Sequence, residues 1–159
     1  MSKIAPCLWF ADEAEEAAKF YVSLLPDSRI DKVQKSPSDY PGGKAGNVLV
    51  VQFTLAGQEY MALNGGTRGD YTHAISFKID CADQAEVDRL WEGLSAGGGE
   101  TGQCGWLKDR YGVSWQITPS IMPGLLGGPD LAASQRTMAA MMQMTKLDIA
   151  TLQKAYDGN

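Results

Sequence analysis

Apolar positions along the chain switch repeatedly between two periods. Lys3 to Phe10 is a short apolar stretch of strand length. After it Ala14, Ala17, Ala18, Tyr21, Leu24 and Leu25 recur at three- and four-residue spacing, the stripe of an amphipathic helix that Pro26 and Asp27 stop. Asp12 with Glu15 has the spacing of a capping box at its start. Ser28 to Lys35, Asn47 to Leu55 and Gln58 to Asn64 read as strands, the last two joined by Ala56-Gly57 as a hairpin; Ser36 to Gly46 is a Pro/Gly loop. Beyond the loop Gly65 to Thr72 the order restarts. His73 to Cys81 predicts a strand, Asp83 with Glu86 a second capping box, and Val87, Leu90, Trp91 and Leu94 a helix ended by Gly97-Gly98-Gly99. Strands around Glu100 to Lys108 and Gly112 to Thr118 follow.

The restart is local as well as general, because Ala11-Asp12-Glu13-Ala14-Glu15 and Ala82-Asp83-Gln84-Ala85-Glu86 each follow a strand and open a helix. Two copies of one β-α-β-rich module are expected, over residues 3–66 and 73–119, within a single domain. A helical tail is expected over 128–157. Pro129 suits the first turn of a helix bearing Leu131, Met138, Met141 and Met142, and Asp148 is placed to cap another with Ile149, Leu152 and Tyr156. This methionine-rich face admits two roles, a seal over the core or a partner surface.

Composition narrows the functional classes. The chain has 159 residues, a formal net charge of -5 and no apolar run near the ~20 residues of a membrane helix. An acidic chain does not suit a phosphate backbone, so neither nucleic acid nor a membrane is expected as a partner. Three cysteines, Cys7, Cys81 and Cys104, form no CxxC pair and suit a reducing compartment, and the acidic turn after Phe10 does not suit a signal peptide. Cytoplasmic residence is the expectation. The single histidine prevents one chain from building a centre of three histidines, or of two and a carboxylate.

The stretch from Cys104 to Pro119, CGWLKDRYGVSWQITP, resembles the signature of the PhnB-like branch of the vicinal oxygen chelate superfamily, also known by the name 3-demethylubiquinone-9 3-methyltransferase domain. Pro6-Cys7-Leu8-Trp9-Phe10, Ala14-Glu15-Glu16-Ala17, Phe20-Tyr21, Met61 to Gly66 and Met144 to Tyr156 are similar to the same family. The resemblance implies an α+β fold of paired βαβββ modules, glyoxalase-like, with curled mixed sheets around a cavity, and a homodimer. It also implies, for metal-dependent relatives, four His, Gln or Glu ligands on strand positions facing the cavity.

Those positions are poorly filled here. Ala5 stands at the first, Ala62 or Asn64 replaces the usual glutamate, and the last falls on Gln116. The strand ending at Asp80 puts Ala74 at the remaining position, whereas His73 shares parity with Ile75, Phe77 and Ile79. No cofactor is expected. A divalent metal held weakly by His73, Gln116 and Asn64, serving lyase or isomerase chemistry, is the alternative. Cys7 lacks a neighbouring base and reads as a structural thiol. Asp109 and Arg110 read as turn residues. Neither Asn64 to Gly69 nor Gly97 to Gly99 joins a strand to a helix, as a methyl-donor-binding turn of the doubly wound type would require. The leading expectation is a small organic ligand lined by Cys7, Trp9, Asn64, Ser76, Lys78, Ser114, Gln116 and Thr118.

Overall fold

The computed structural model describes residues 2–159. They fall into two compact units, divided between Asp70 and Tyr71. In the first, β1 (Cys7–Phe10), α1 (Ala14–Leu24), β2 (Arg29–Lys35), β3 (Val48–Leu55) and β4 (Gln58–Asn64) form a sheet of order β1-β4-β3-β2 with the helix against it. β1 runs parallel to β4 and the other pairs are antiparallel. Strand alternation puts Leu8, Phe10, Val51, Phe53 and Ala62 on the face that the alanines and Tyr21 of α1 cover, and all are buried. Tyr21, Phe53 and Tyr60 form a continuous ring stack there.

Two expectations for this unit are corrected. The first strand begins at Cys7 rather than Lys3, because pairing with β4 starts at Cys7 opposite Met61. Asp12 and Glu15 do not form a capping box. Glu13 is the N-cap residue and its side chain caps nothing in the helix; its Oε2 accepts instead from the amides of Ala11 and Asp12. The first turn is capped from across the unit, where Asn64 Oδ1 accepts from the buried Ala14 N at 2.9 Å.

The second unit repeats the plan. β5 (Phe77–Cys81), α2 (Gln84–Ser95), β6 (Glu100–Thr101), β7 (Trp106–Lys108) and β8 (Ser114–Pro119) give the order β5-β8-β7-β6, the strand order of the first unit step for step. The fold is therefore α+β, built from two βαβββ modules with mixed four-stranded sheets, neither closed on itself. The capping box at α2 forms as expected in its first half. Asp83 Oδ1 accepts from Glu86 N at 2.9 Å, while Glu86 Oε2 reaches one residue further back, to Ala82 N at 2.7 Å. Val87, Leu90, Trp91 and Leu94 bury against the sheet face that carries Leu107, Trp115 and Ile117.

Three helices follow: α3 (Met122–Leu126), α4 (Leu131–Met141) and α5 (Ile149–Asp157). The one-turn α3 escaped the sequence pattern because five residues are too few to show a period. α4 begins after Asp130, whose carboxylate accepts from Ala133 N, so Pro129 lies outside the first turn. Asp148 caps α5 as expected, accepting from Thr151 N at 2.7 Å. Met122, Leu125, Leu147 and Leu152 form a buried cluster with Met141 and Met144 packed on it, while Met138 and Met142 stay exposed. The tail is also bonded to its module. Cys104 N and Gly105 N donate to the carbonyls of Met144 and Thr145, Gln84 bridges Leu147 O and Ile149 N, and Lys146 pairs with Asp88 at 2.8 Å. Among the described residues no helix is long and apolar enough to cross a membrane.

Candidate functional site

Each sheet has one face under its module helix and one face without that cover, and register decides which side chains stand on the second. In the second unit the rows across that face are Lys78–Gln116–Trp106, then Ser114–Lys108–Glu100, with Asp80 beside Thr118. Lys78, Ser114, Gln116 and Thr118 therefore share the side that sequence parity assigns them, and Ser76, just before β5, joins them through its bond with Gln116. Their chemistry differs. Gln116 Nε2 donates to Ser76 Oγ at 2.9 Å, and Lys78 is ion-paired with Asp80, so these groups already have partners within the sheet. Thr118 and Lys78 line a shallow depression of about 420 Å³ with Met122, Pro123 and Leu126.

Ser114 has different surroundings. It is 2% exposed, and its hydroxyl has no hydrogen-bond partner among the described residues. It lines a hollow of about 140 Å³ together with His73, Glu100, Thr101, Trp106 and Lys108. The predicted strand at His73 starts only at Phe77, and His73 sits in the preceding turn, exposed, over the β6–β7 side. The structure thus brings His73 and Ser114 to one place, and adds Glu100, Trp106 and Lys108, which sequence reasoning missed. Trp106 and Lys108 alternate with the buried Leu107, so parity applied to this short strand would have found them.

In the first unit the corresponding rows are Cys7–Met61–Gln52–Lys32 and Trp9–Leu63–Val50–Gln34. Asn64 is not among them. It pairs with Phe10 on the helix-covered face, where Oδ1 accepts from Ala14 N and Nδ2 donates to Val48 O at 3.0 Å, so its amide is a structural bridge rather than a ligand group. Trp9 is 41% exposed, and its Nε1 donates to Thr67 O at 2.7 Å. The glycine-rich segment after β4 folds onto this indole: a Cβ on Gly65 would lie 1.8 Å from Trp9 Cζ2, and one on Gly69 3.1 Å from Cδ1. A separate hollow of about 410 Å³ is lined by Ala5, Arg29, Asp31, Gln52, Glu59 and Met61. Its charges are largely engaged, Asp31 by Arg29 and Thr54 and Glu59 by Ser2 N.

A family model described as 3-demethylubiquinone-9 3-methyltransferase matches residues 2–118. The chain belongs to this family. The PhnB protein from Bacillus cereus is 35% identical, over 74% of this chain and 99% of its own, with a TM-score of 0.65. Protein PA1353 from Pseudomonas aeruginosa, 19% identical over 75% of this chain and 98% of its own, shares the fold at a TM-score of 0.61. A lactoylglutathione lyase from Agrobacterium tumefaciens is a more distant neighbour, 20% identical over 72% of this chain and 91% of its own, at 0.37. No curated protein matches.

Within this PhnB-like, glyoxalase-fold chain, the sequence signature of the family builds a hairpin. Asp109, 2% exposed, accepts at Oδ1 from the amides of Tyr111 and Val113 and at Oδ2 from Trp115 Nε1 at 2.9 Å. Gly112 supplies the turn with φ +89°. The glycine runs are structural too: a Cβ on Gly66 would meet Gly42 Cα at 2.3 Å, and one on Gly97 would meet the Arg110 guanidinium at 2.7 Å. The chelating set implied for metal-dependent relatives of the superfamily does not fit these residues. Ala5 offers no donor, Asn64 faces the helix, and Gln116 already bonds Ser76. Among the described residues no three His, Cys, Asp or Glu side chains gather where an ion would be held. Partial desolvation pushes the Cys7 thiol up, away from the thiolate a nucleophile needs.

Proposed function

We propose that the chain binds a small polar organic molecule on the face of its second sheet opposite α2, in the hollow between His73 and Ser114, without a resident metal ion. The observation that carries this reading is the Ser114 hydroxyl, buried at the hollow with no partner among the described residues. A buried polar group left unpaired costs about 1–3 kcal/mol, a cost that a bound molecule supplying the missing hydrogen bond removes. The amide of Gln116 and hydroxyl of Thr118 on the same face extend the polar surface beside it. The donor set supports binding without a metal, since its one imidazole is joined by no cluster of carboxylates or thiolates.

A thermal-shift and calorimetric screen of chelator-treated protein against small metabolites tests the reading. Saturable binding that weakens tenfold or more in Ser114→Ala supports it. Binding that disappears on chelation and returns with zinc or manganese overturns the metal-free part, and binding indifferent to Ser114→Ala removes the site.

A further inference from the structure

Several polar groups around the hollow at Ser114 have no partner among the described residues. The strand pairing sets Lys108 directly opposite Glu100 on β6, with Cβ atoms about 5 Å apart, a placement in which opposite charges ordinarily pair. Among the described residues they do not, and neither forms an ion pair or side-chain hydrogen bond elsewhere. The imidazole of His73, the indole N–H of Trp106 and the hydroxyl of Ser114 are likewise without hydrogen bonds among the described residues. A cation, an anion, an N–H donor, a hydroxyl and a titratable ring thus surround one space.

We infer that the ligand is a small zwitterion of the α-amino acid class; this rests on the reading that the hollow binds a small molecule. Charge selects the class. A simple carboxylate would gain Lys108 and face repulsion from Glu100, and a simple amine would suffer the reverse. A molecule carrying both charges on one carbon meets both groups, its carboxylate toward Lys108 and the Ser114 hydroxyl, its ammonium toward Glu100. The hollow, of about 140 Å³ and open to solvent, admits a compact amino acid. The Trp106 indole supplies an apolar wall for its side chain.

The test is calorimetry on the full chain with glycine, L-alanine and L-serine, each compared with propionate and ethylammonium, and with the variants Lys108→Met, Glu100→Gln and Ser114→Ala checked for folding by circular dichroism. Lys108 and Glu100 are exposed, so their replacement leaves the core intact. Saturable binding of at least one amino acid is expected, tenfold or more tighter than either singly charged analogue, and weakened tenfold or more by each of the two charge variants. Equal binding of alanine and propionate overturns the zwitterion while leaving a small-molecule site. If the amino acids fail but other metabolites bind with dependence on Ser114, the ligand class falls and the site stands. If nothing binds, both fall.

Discussion

Replacing Asp109 with alanine removes one acceptor from three buried or partly buried donors at once: Tyr111 N at 2.8 Å, Val113 N at 3.1 Å and Trp115 Nε1 at 2.9 Å. Each donor left unpaired in the interior costs about 1–3 kcal/mol, and because the amides belong to one turn that can relax together the total falls short of the sum. About 3–5 kcal/mol is expected. Asparagine keeps an oxygen for the two amides but turns an NH2 group toward the indole N–H, a donor facing a donor, and should cost about 2 kcal/mol. At this chain length about 2–4 °C of Tm accompanies each kcal/mol, so alanine should lower Tm by about 6–20 °C and asparagine by clearly less. Thermal unfolding followed by circular dichroism and tryptophan emission measures both. An alanine variant within about 1 kcal/mol of the parent would refute the hairpin account, and a fully stable variant that loses ligand binding would move Asp109 from the fold into the chemistry.

Other features of the chain have measurable consequences. Gly65→Ala drives a methyl carbon into the Trp9 ring and should displace the indole from Thr67 O, destabilising the protein by about 1–3 kcal/mol and shifting tryptophan emission to the red; an unchanged spectrum and Tm would contradict the packing. Burial first, then the Glu86 and Asp80 carboxylates against an opposing Arg89, push the Cys81 thiol from 9.0 up to about 12. Because the folded pKa is the higher one, this stability is whole below about pH 9 and is lost as pH rises toward 12, and Cys81→Ala should flatten that alkaline decline in a urea-melt series. Ending the chain at Gly128 removes Leu147 and Leu152, worth about 1.5–3 kcal/mol each on burial, and strips the carbonyl partners from Cys104 N and Gly105 N. The second module should lose cooperative unfolding; a stable truncated protein would instead favour the tail as a partner surface.

The repeated βαβββ plan was legible because it rests on periodicity, and Ala17, Tyr21, Leu90 and Leu94 all bury where the stripes place them. The errors share a physical cause, which is that a polar side chain reads the same in sequence whether it faces solvent or bridges two backbones. Asn64 looked like a ligand group because it is polar and ends a strand, yet its partners Ala14 and Val48 lie 50 and 16 residues away and leave no local trace. His73 continues the alternation of Ile75 and Phe77, but pairing with β8 begins only at Phe77 opposite Trp115, so the alternation outruns the strand. The hollow itself was hidden for the converse reason. Lys44 is held by Asp39 and Lys146 by Asp88, whereas Lys108 has no such partner among the described residues, and nothing in the identity of the residue separates these cases. Lys32, Lys35 and Lys154 are also unpaired among the described residues, so what marks Lys108, Glu100 and Ser114 is that they surround one hollow. They come together only because β6, two residues long and without a period of its own, pairs beside β7.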